Sequence, residues 1–230
     1  MPELTKARLF AAEIGWLKGA PPEFRAAVLE RTRLRNLKAG EVLHFSGDDA
    51  IGMYGLTQGR LRVGLSAEEH GSYFVHLLRP GDWIGEGPSI TRRPRVITPT
   101  ASCACELLFL PRAGVHEIVS KEPAFWPFFV SPLLGHFELA LGIIADLLLR
   151  DHRKRIAASL LRLAGCRAGP VASRGRIEID ASQEDIAIMA NVARNTAGLT
   201  LREFAAAGLI EVGYGKATLL QPRKLRAMLK

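Results

Sequence analysis

The period of the hydrophobic positions changes repeatedly along the chain. Residues 21–35 (PPEFRAAVLERTRLR) read as a helix with proline in its first turn. From 38 to 110 the period drops to two. Leu61, Val63 and Leu65 alternate with Arg62 and Gly64, and Gly-containing turns (KAGE, SGDD, TQGR, EEHGS, RPGD) separate the short runs. Alternation marks half-buried strands, and many such strands at roughly ten-residue spacing predict a barrel or jelly roll closed around a pocket.

Helical spacing returns after Pro123. Ser131 is suited to cap a helix whose first residue is Pro132. Leu134, Phe137, Leu141, Ile144 and Leu148 then follow at spacings of 3, 4, 3 and 4. That is an a/d seam, which serves either a helix lying on its own barrel or a parallel coiled-coil dimer. The polar segment RDHRKR at 150–155 predicts a hinge. IAASLLRLAG reads as a further helix stopped by Gly165, residues 166–176 as a Gly- and Arg-containing loop, and Ile177–Ile179 as a short strand.

Residues 182–207 (SQEDIAIMANVARNTAGLTLREFAAA) carry the sharpest signal: two short helices around a tight turn, the second opening on a polar face. This is the shape of a helix-turn-helix, whose second helix enters the DNA major groove. Ser182 with Asp185 has capping-box spacing. Asn191 falls where a turn needs a left-handed residue, which Asn tolerates. Leu201 and Phe204 are expected in the core. Arg194, Asn195 and Thr196 lie at the exposed helix start. Arginine donates two bonds to guanine, asparagine pairs with adenine, and threonine suits a phosphate or a thymine methyl. Leu199 and Arg202 share this side, and Arg202, Gln183 and Lys216 are phosphate candidates. Gly208 is placed for a C-cap, and LIEVGYGKATLLQ predicts a hairpin turning on Gly213 to Lys216, which is a wing.

Charge sharpens this picture. The net charge is +8, with 31 Lys and Arg against 23 Asp and Glu; residues 151–230 hold 14 bases and 7 acids, residues 1–150 hold 17 and 16. The surplus lies with the helix-turn-helix and fits a polyanionic partner. Hydrophobic residues at 48% support a packed core. Three cysteines (Cys103, Cys105, Cys166) make no disulfide framework, no signal-peptide core opens the chain, and the longest apolar run, LALGIIADLLL, is broken by Asp146. A cytoplasmic protein with no membrane partner is expected. Cys103 and Cys105 alternate on an expected strand and are read as core packing; Cys166 lies near the expected hinge loop.

From about residue 16 to 230 the layout resembles the Crp/Fnr family of bacterial transcription regulators. The resemblance rests on TQGRLRV, PGDWIGE, the long seam-bearing helix, and QEDIAIMANVARNTAGLTLREFAAAGLI with its wing. It implies an α+β chain in three parts: an effector-sensing β-roll of the cyclic-nucleotide-binding type at 1–130, a dimerisation helix and hinge at 131–151, and a winged helix-turn-helix at 152–230. It implies a homodimer on a near-palindromic double-stranded DNA operator, gated by an effector in the roll and contacting RNA polymerase. An effector would act through its differential affinity for two arrangements.

Several positions depart from the family pattern. Asn195 and Leu199 stand where relatives of the cyclic-AMP receptor have Glu and Arg, so a different operator is expected. Ala193 replaces the usual hydroxyl at the helix cap, and Asn191 the usual turn glycine. In the roll, Gly85–Glu86 matches the ribose-binding place and Arg95 the phosphate-binding one. Val96 stands where a small residue is usual, and Ala140 and Leu141 stand where hydroxyls contact adenine. Unpaired ligand groups cost about 1–3 kcal/mol each, which disfavours a cyclic nucleotide. The alternative is that Glu86 and Arg95 are structural, Arg95 belonging to an exposed TRRPR loop. The N-terminal cysteine cluster of iron–sulfur sensors is missing, and Gly85 and Gly87 replace the Cys and His ligands of carbon monoxide sensors; six histidines leave haem of another kind open. An effector-independent DNA binder is the second reading. A cupin-like metal enzyme is the third; His44, His70 and His76 do not form its ligand pattern, no metal site is expected, and no nucleophile or phosphate-loop motif marks a catalytic residue.

Overall fold

The computed structural model describes residues 1–67, 71–168 and 176–230. His70, within the EEHGS turn, and most of the expected loop at 166–176 lie outside them. The chain divides into two compact units, Met1–Glu138 and Leu139–Lys230.

The first unit opens with α1 (Glu3–Ala12), α2 (Gly15–Lys18) and α3 (Pro22–Glu30). The expected helix at 21–35 therefore ends five residues early. RLRNL becomes β1 (Arg33–Leu37), because its backbone pairs along its whole length with β7 (Cys105–Pro111). Long-range pairing outweighs local propensity here. Between them run β2 (Gly52–Gln58), β3 (Leu61–Ala67), β4 (Gly71–Leu78), β5 (Trp83–Ile84), the short α4 (Glu86–Thr91) and β6 (Thr98–Ala101). They form two antiparallel sheets, ordered β1-β7-β2-β5 and β4-β3-β6. The roll is jelly-roll-like and is not a closed barrel. Leu56, Leu61, Val63, Leu78 and Leu107 fill the space between the sheets. Leu65, expected inward, is exposed. The β3–β4 register shifts between Val63 and Gly64, where Val75 is an extra residue on β4.

After β7, α5 (Arg112–Lys121) and a 3₁₀ turn lead into α6 (Trp126–Leu147), which runs across the division between the units. Its start corrects the expected cap at Ser131: Glu122 caps the 3₁₀ turn Pro123–Phe125, helix continues from Trp126, and Pro132 lies inside it. The early start is fixed by packing. Phe125, Phe128 and Phe129 surround Phe24, with Phe129 at 5.0 Å between ring centres and Trp16 at 5.5 Å. Burial of this cluster outweighs the hydrogen bond that Pro132 cannot make. The helical stretch Pro123–Leu147 is also long and apolar enough to cross a membrane, by length and composition alone. Counting unbroken runs misses this, because Glu138 and Asp146 interrupt the apolar residues without lowering their average much.

The second unit continues with α7 (His152–Leu163), β8 (Ile177–Ile179), α8 (Gln183–Met189), α9 (Arg194–Ala206), β9 (Ile210–Gly213), β10 (Lys216–Leu219) and α10 (Pro222–Ala227). The expected hinge RDHRKR is mostly helix: Asp151 caps α7 by accepting from the Arg153 amide, and only residues 148–151 separate α6 from α7. Ile156, Leu160, Ile186, Leu201, Phe204, Leu219 and Leu225 form the core. Asp146, near the end of α6, is buried against Arg162 of α7 and also pairs with Arg167, Nη2 to Oδ1 at 2.6 Å. This buried carboxylate is thus matched by two cations, as burial of charge requires.

Candidate nucleic-acid interface and effector pocket

The helix-turn-helix is held by local chemistry. Ser182 and Asp185 make both bonds of a capping box at the start of α8. Asn191 adopts φ +49, the left-handed conformation the turn needs. Ala193 caps α9 without a side-chain bond. Beyond α9, Gly208 sits at φ +66 and the Leu209 amide donates to the Phe204 carbonyl at 2.9 Å, closing the helix end.

The faces of α9 separate cleanly. Ala197, Gly198, Thr200, Leu201 and Phe204 are buried, whereas Arg194, Asn195, Leu199 and Arg202 are exposed and Thr196 is half-buried. One exposed stripe therefore starts at the helix N-terminus, where positive partial charge also favours an approaching phosphate. The Gln183 side-chain amide donates to the Arg194 carbonyl at 3.0 Å. Gly198 makes room for it, since a Cβ there would collide with the Gln183 amide. Lys216, on the wing, faces Glu178 at 3.1 Å. Arg155 was missed in the sequence. Its guanidinium donates to the carbonyls of Ala190 in the turn and of Leu149 after α6, each at 2.8 Å. A half-buried arginine tying backbone to backbone leaves no spacing signal.

The candidate effector residues meet at the start of α4. Gly85 is its cap at φ +95, and a Cβ there would strike the Arg95 guanidinium. Arg95 is only 3% exposed although residues 91–94 before it are exposed; its Nη2 donates to the Gly52 carbonyl at 2.6 Å. Its Nε and Nη1, Glu86 Oε2 and Ser89 Oγ are buried without hydrogen-bond partners. Burial lowers the Arg95 pKa, opposed by the nearby Tyr54, Glu86 and Asp48. Burial, with the charge of Arg95 nearby, takes His44 down to about 4. Glu86 Oε1 lies 2.8 Å from Nδ1 of His136 on α6, and this bond raises the histidine pKa against the effect of burial. His136 also escaped sequence reading, because fifty residues separate the pair.

Two further candidates are exposed. Val96 is 64% exposed and points outward, since neighbouring side chains on extended backbone alternate and Arg95 points in. Leu141 is exposed with Leu134, Phe137, Ile144 and Leu148. These five side chains are not covered by the chain itself, and Leu148 lies just beyond the end of α6. The expectation that Cys103 and Cys105 share a strand face is also corrected: Cys103 lies in a bend, and β7 begins at Cys105, whose thiol donates to the Arg60 carbonyl at 3.3 Å. Among the described residues, no group of three or more potential ligands could hold a metal ion.

Two family profiles match in the order of the two units: the cyclic nucleotide-binding domain at residues 34–122 and the Crp-like helix-turn-helix domain at 154–228. A CRP-like cAMP-activated global transcriptional regulator of Mycobacterium tuberculosis is 23% identical over 209 residues, covering 91% of this chain and 93% of that protein. The transcriptional regulator SdrP of Thermus thermophilus is 26% identical, covering 84% and 92%. Among solved structures, a CRP/FNR family transcriptional regulator of Thermus thermophilus superposes with a TM-score of 0.66 at 24% identity, covering 86% of this chain and 98% of that one. The c-di-GMP responsive global regulator CLP of Xanthomonas campestris superposes with a TM-score of 0.66 at 16% identity, covering 87% and 99%. Roll, long helix and winged helix-turn-helix occur together and in this order, and the chain belongs to the Crp/Fnr family of DNA-binding transcription regulators.

Proposed function

We propose that two copies of the chain pair along α6 and read a near-palindromic duplex site, with Arg194 and Asn195 on base edges and Thr196 and Arg202 beside the backbone. The observation that carries this reading is the exposed polar stripe of α9, set over an apolar face that leaves the helix one way to lie. The exposed seam of α6 supports pairing, because an apolar stripe of this length needs a cover and two-fold symmetry supplies one. The chain acts in the cytoplasm as a regulator and not as an enzyme, a reading supported by relatives that are transcriptional regulators, and meets RNA polymerase at the promoter. The domain limits are a roll at 1–130, a dimerisation helix with its hinge at 131–151, and a reading domain at 152–230.

A small anionic effector in the roll gates this activity. Arg95 offers two buried donor atoms, and Ser89 a buried hydroxyl. These fit the phosphate of a cyclic nucleotide. The ribose side is contested, because His136 already holds Glu86. A ligand reaching Glu86 must displace a residue of α6, which joins the pocket to the pairing helix. The reading without an effector draws on the same contact: Glu86–His136 and Arg95–Gly52 bonds make the roll a self-contained scaffold. Operator fragments selected from genomic DNA, titrated with protein with and without candidate anions, separate the two. Gating requires operator affinity to change with ligand. Cyclic AMP is expected to raise the melting temperature little; a large concentration-dependent rise restores the nucleotide as effector.

A further inference from the structure

Cys103 and Cys105 flank Ala104 in the turn from β6 to β7, away from both the reading helix and the effector pocket. Cys103 lies in a bend, and the side chains of the two cysteines interact directly. The Cys105 sulfur also lies 3.3 Å from the Cys103 carbonyl and 3.3 Å from the Arg60 carbonyl. Both thiols are free. A strand would have held them two residues apart on one face; the bend turns the spacing C-x-C into a chelating pair.

The surroundings hold this pair in place. Gly59, at φ +91 in the β2–β3 turn, leaves the space the pair needs: a Cβ there would lie 2.6 Å from the Cys105 sulfur and 2.6 Å from the Ala104 carbonyl. The Ser102 amide donates to the same Arg60 carbonyl at 2.9 Å, and the Ser102 hydroxyl is buried without a hydrogen-bond partner. An orphaned donor thus sits one residue from the first sulfur. Cys103 is half-buried and open to solvent, whereas Cys105 is buried and lines an open cavity of about 470 Å³. Glu3, Glu41 and Glu106 line this cavity against Lys38, a balance that draws cations.

Thiolates are soft ligands, suited to copper(I), zinc and iron–sulfur clusters. Structural zinc takes four ligands, and the clusters take four cysteines or a mixed set of the same size. Among the described residues no group of three or more potential ligands is assembled. Two sulfurs do satisfy a monovalent ion with a filled d shell. We propose that Cys103 and Cys105 bind one copper(I) ion per chain. The ion replaces both thiol protons, which pass to water, and no electron is transferred. The neutral dithiol becomes a bis-thiolate complex with one net negative charge, and the Ser102 hydroxyl donates to it from outside the ligand pair. This site is independent of how α9 reads DNA and of what the effector pocket holds.

The test uses the full-length, reduced protein without DNA, in ascorbate under nitrogen. Copper(I) is supplied as its coloured bicinchoninate complex, and loss of colour reports transfer to the protein. The wild type is expected to withdraw one copper per chain, and Cys166→Ser to match it. Cys103→Ser and Cys105→Ser are each expected to bind roughly a hundredfold more weakly or worse, because the chelate effect is lost. Cys103 is half-buried, so Cys103→Ser should melt like the wild type and tests the site even if Cys105→Ser folds poorly. Zinc offered in the same way should not survive gel filtration. No withdrawal by the wild type, undiminished uptake by Cys103→Ser, or loss in Cys166→Ser each overturns the assignment. One copper per two chains, or retained zinc, overturns it equally, since either requires ligands beyond this pair.

Discussion

The Nε of Arg155 donates to the carbonyl of Ala190 at 2.8 Å, fastening the first turn of α7 to the turn of the helix-turn-helix. The same guanidinium reaches the Leu149 and Arg150 carbonyls behind α6, at 2.8 and 3.2 Å. The segment after α6 and the turn before α9 thus share one planar donor. A lysine cannot reproduce that fork. Arg155→Lys and Arg155→Ala should both weaken operator binding while the protein remains dimeric, with a stability loss of about 1–3 kcal/mol from carbonyls left unmet. Unchanged operator affinity in both variants would show that this tie does not position α9.

Asp146 and Arg162 form a buried ion pair. Arg162→Met leaves buried Asp146 only the partly exposed Arg167 as partner, so it should lose stability in chemical denaturation, by less than the about 3–5 kcal/mol of a fully stranded charge. Replacing Asp146 with Leu as well should recover much of that loss, because two apolar groups of similar volume avoid desolvation altogether. Arg167, also paired with Asp146, is partly exposed and needs no replacement. A double variant no more stable than Arg162→Met would mean the pair is not the source of the cost.

The Glu86–His136 bond makes the roll sensitive to pH. The hydrogen bond that His136 donates to Glu86 raises the His136 pKa above its ordinary 6.5, burial opposes it, and the charges of Glu86 and Asp82 add to the rise. A histidine raised in the folded state contributes stability that is fully present below its unfolded pKa. That contribution is lost as pH climbs through the raised folded value. Melting temperature should therefore fall from about pH 6 upward through the raised value, and His136→Gln should remove that part of the slope. The same slope in both proteins would assign the pH dependence to other groups.

The exposed seam on α6 sets the expectation for Leu141→Asp. A carboxylate facing its symmetry mate is desolvated beside a like charge, and sedimentation should show monomers at concentrations where the wild type is dimeric. A wild-type dimer in this variant would place the interface elsewhere.

Much of this organisation can be read from residues, and the failures have identifiable causes. Capping, left-handed turns and helix periodicity are local, so Ser182, Asn191 and the buried and exposed sides of α9 follow from spacing alone. Pairing and packing across the sequence are not local. RLRNL became strand through a partner about seventy residues away, and α6 began early because three phenylalanines close on Phe24. The pocket shows the same division. Arg95 and Glu86 were legible as positions, but the bond from His136 is visible only once α6 is in place. Asp146 did leave a mark in the sequence, as a lone charge in an apolar run that needed a buried partner.

The central claim is that the N-terminal tip of α9 reads base edges, and Arg194→Ala tests it most directly. Wild type and variant are each selected against a library in which every operator position is randomised. The account expects the variant to lose discrimination at one symmetric pair of positions by about 1–3 kcal/mol, with the remaining positions preserved. Identical base preferences for the two proteins at every position would contradict it.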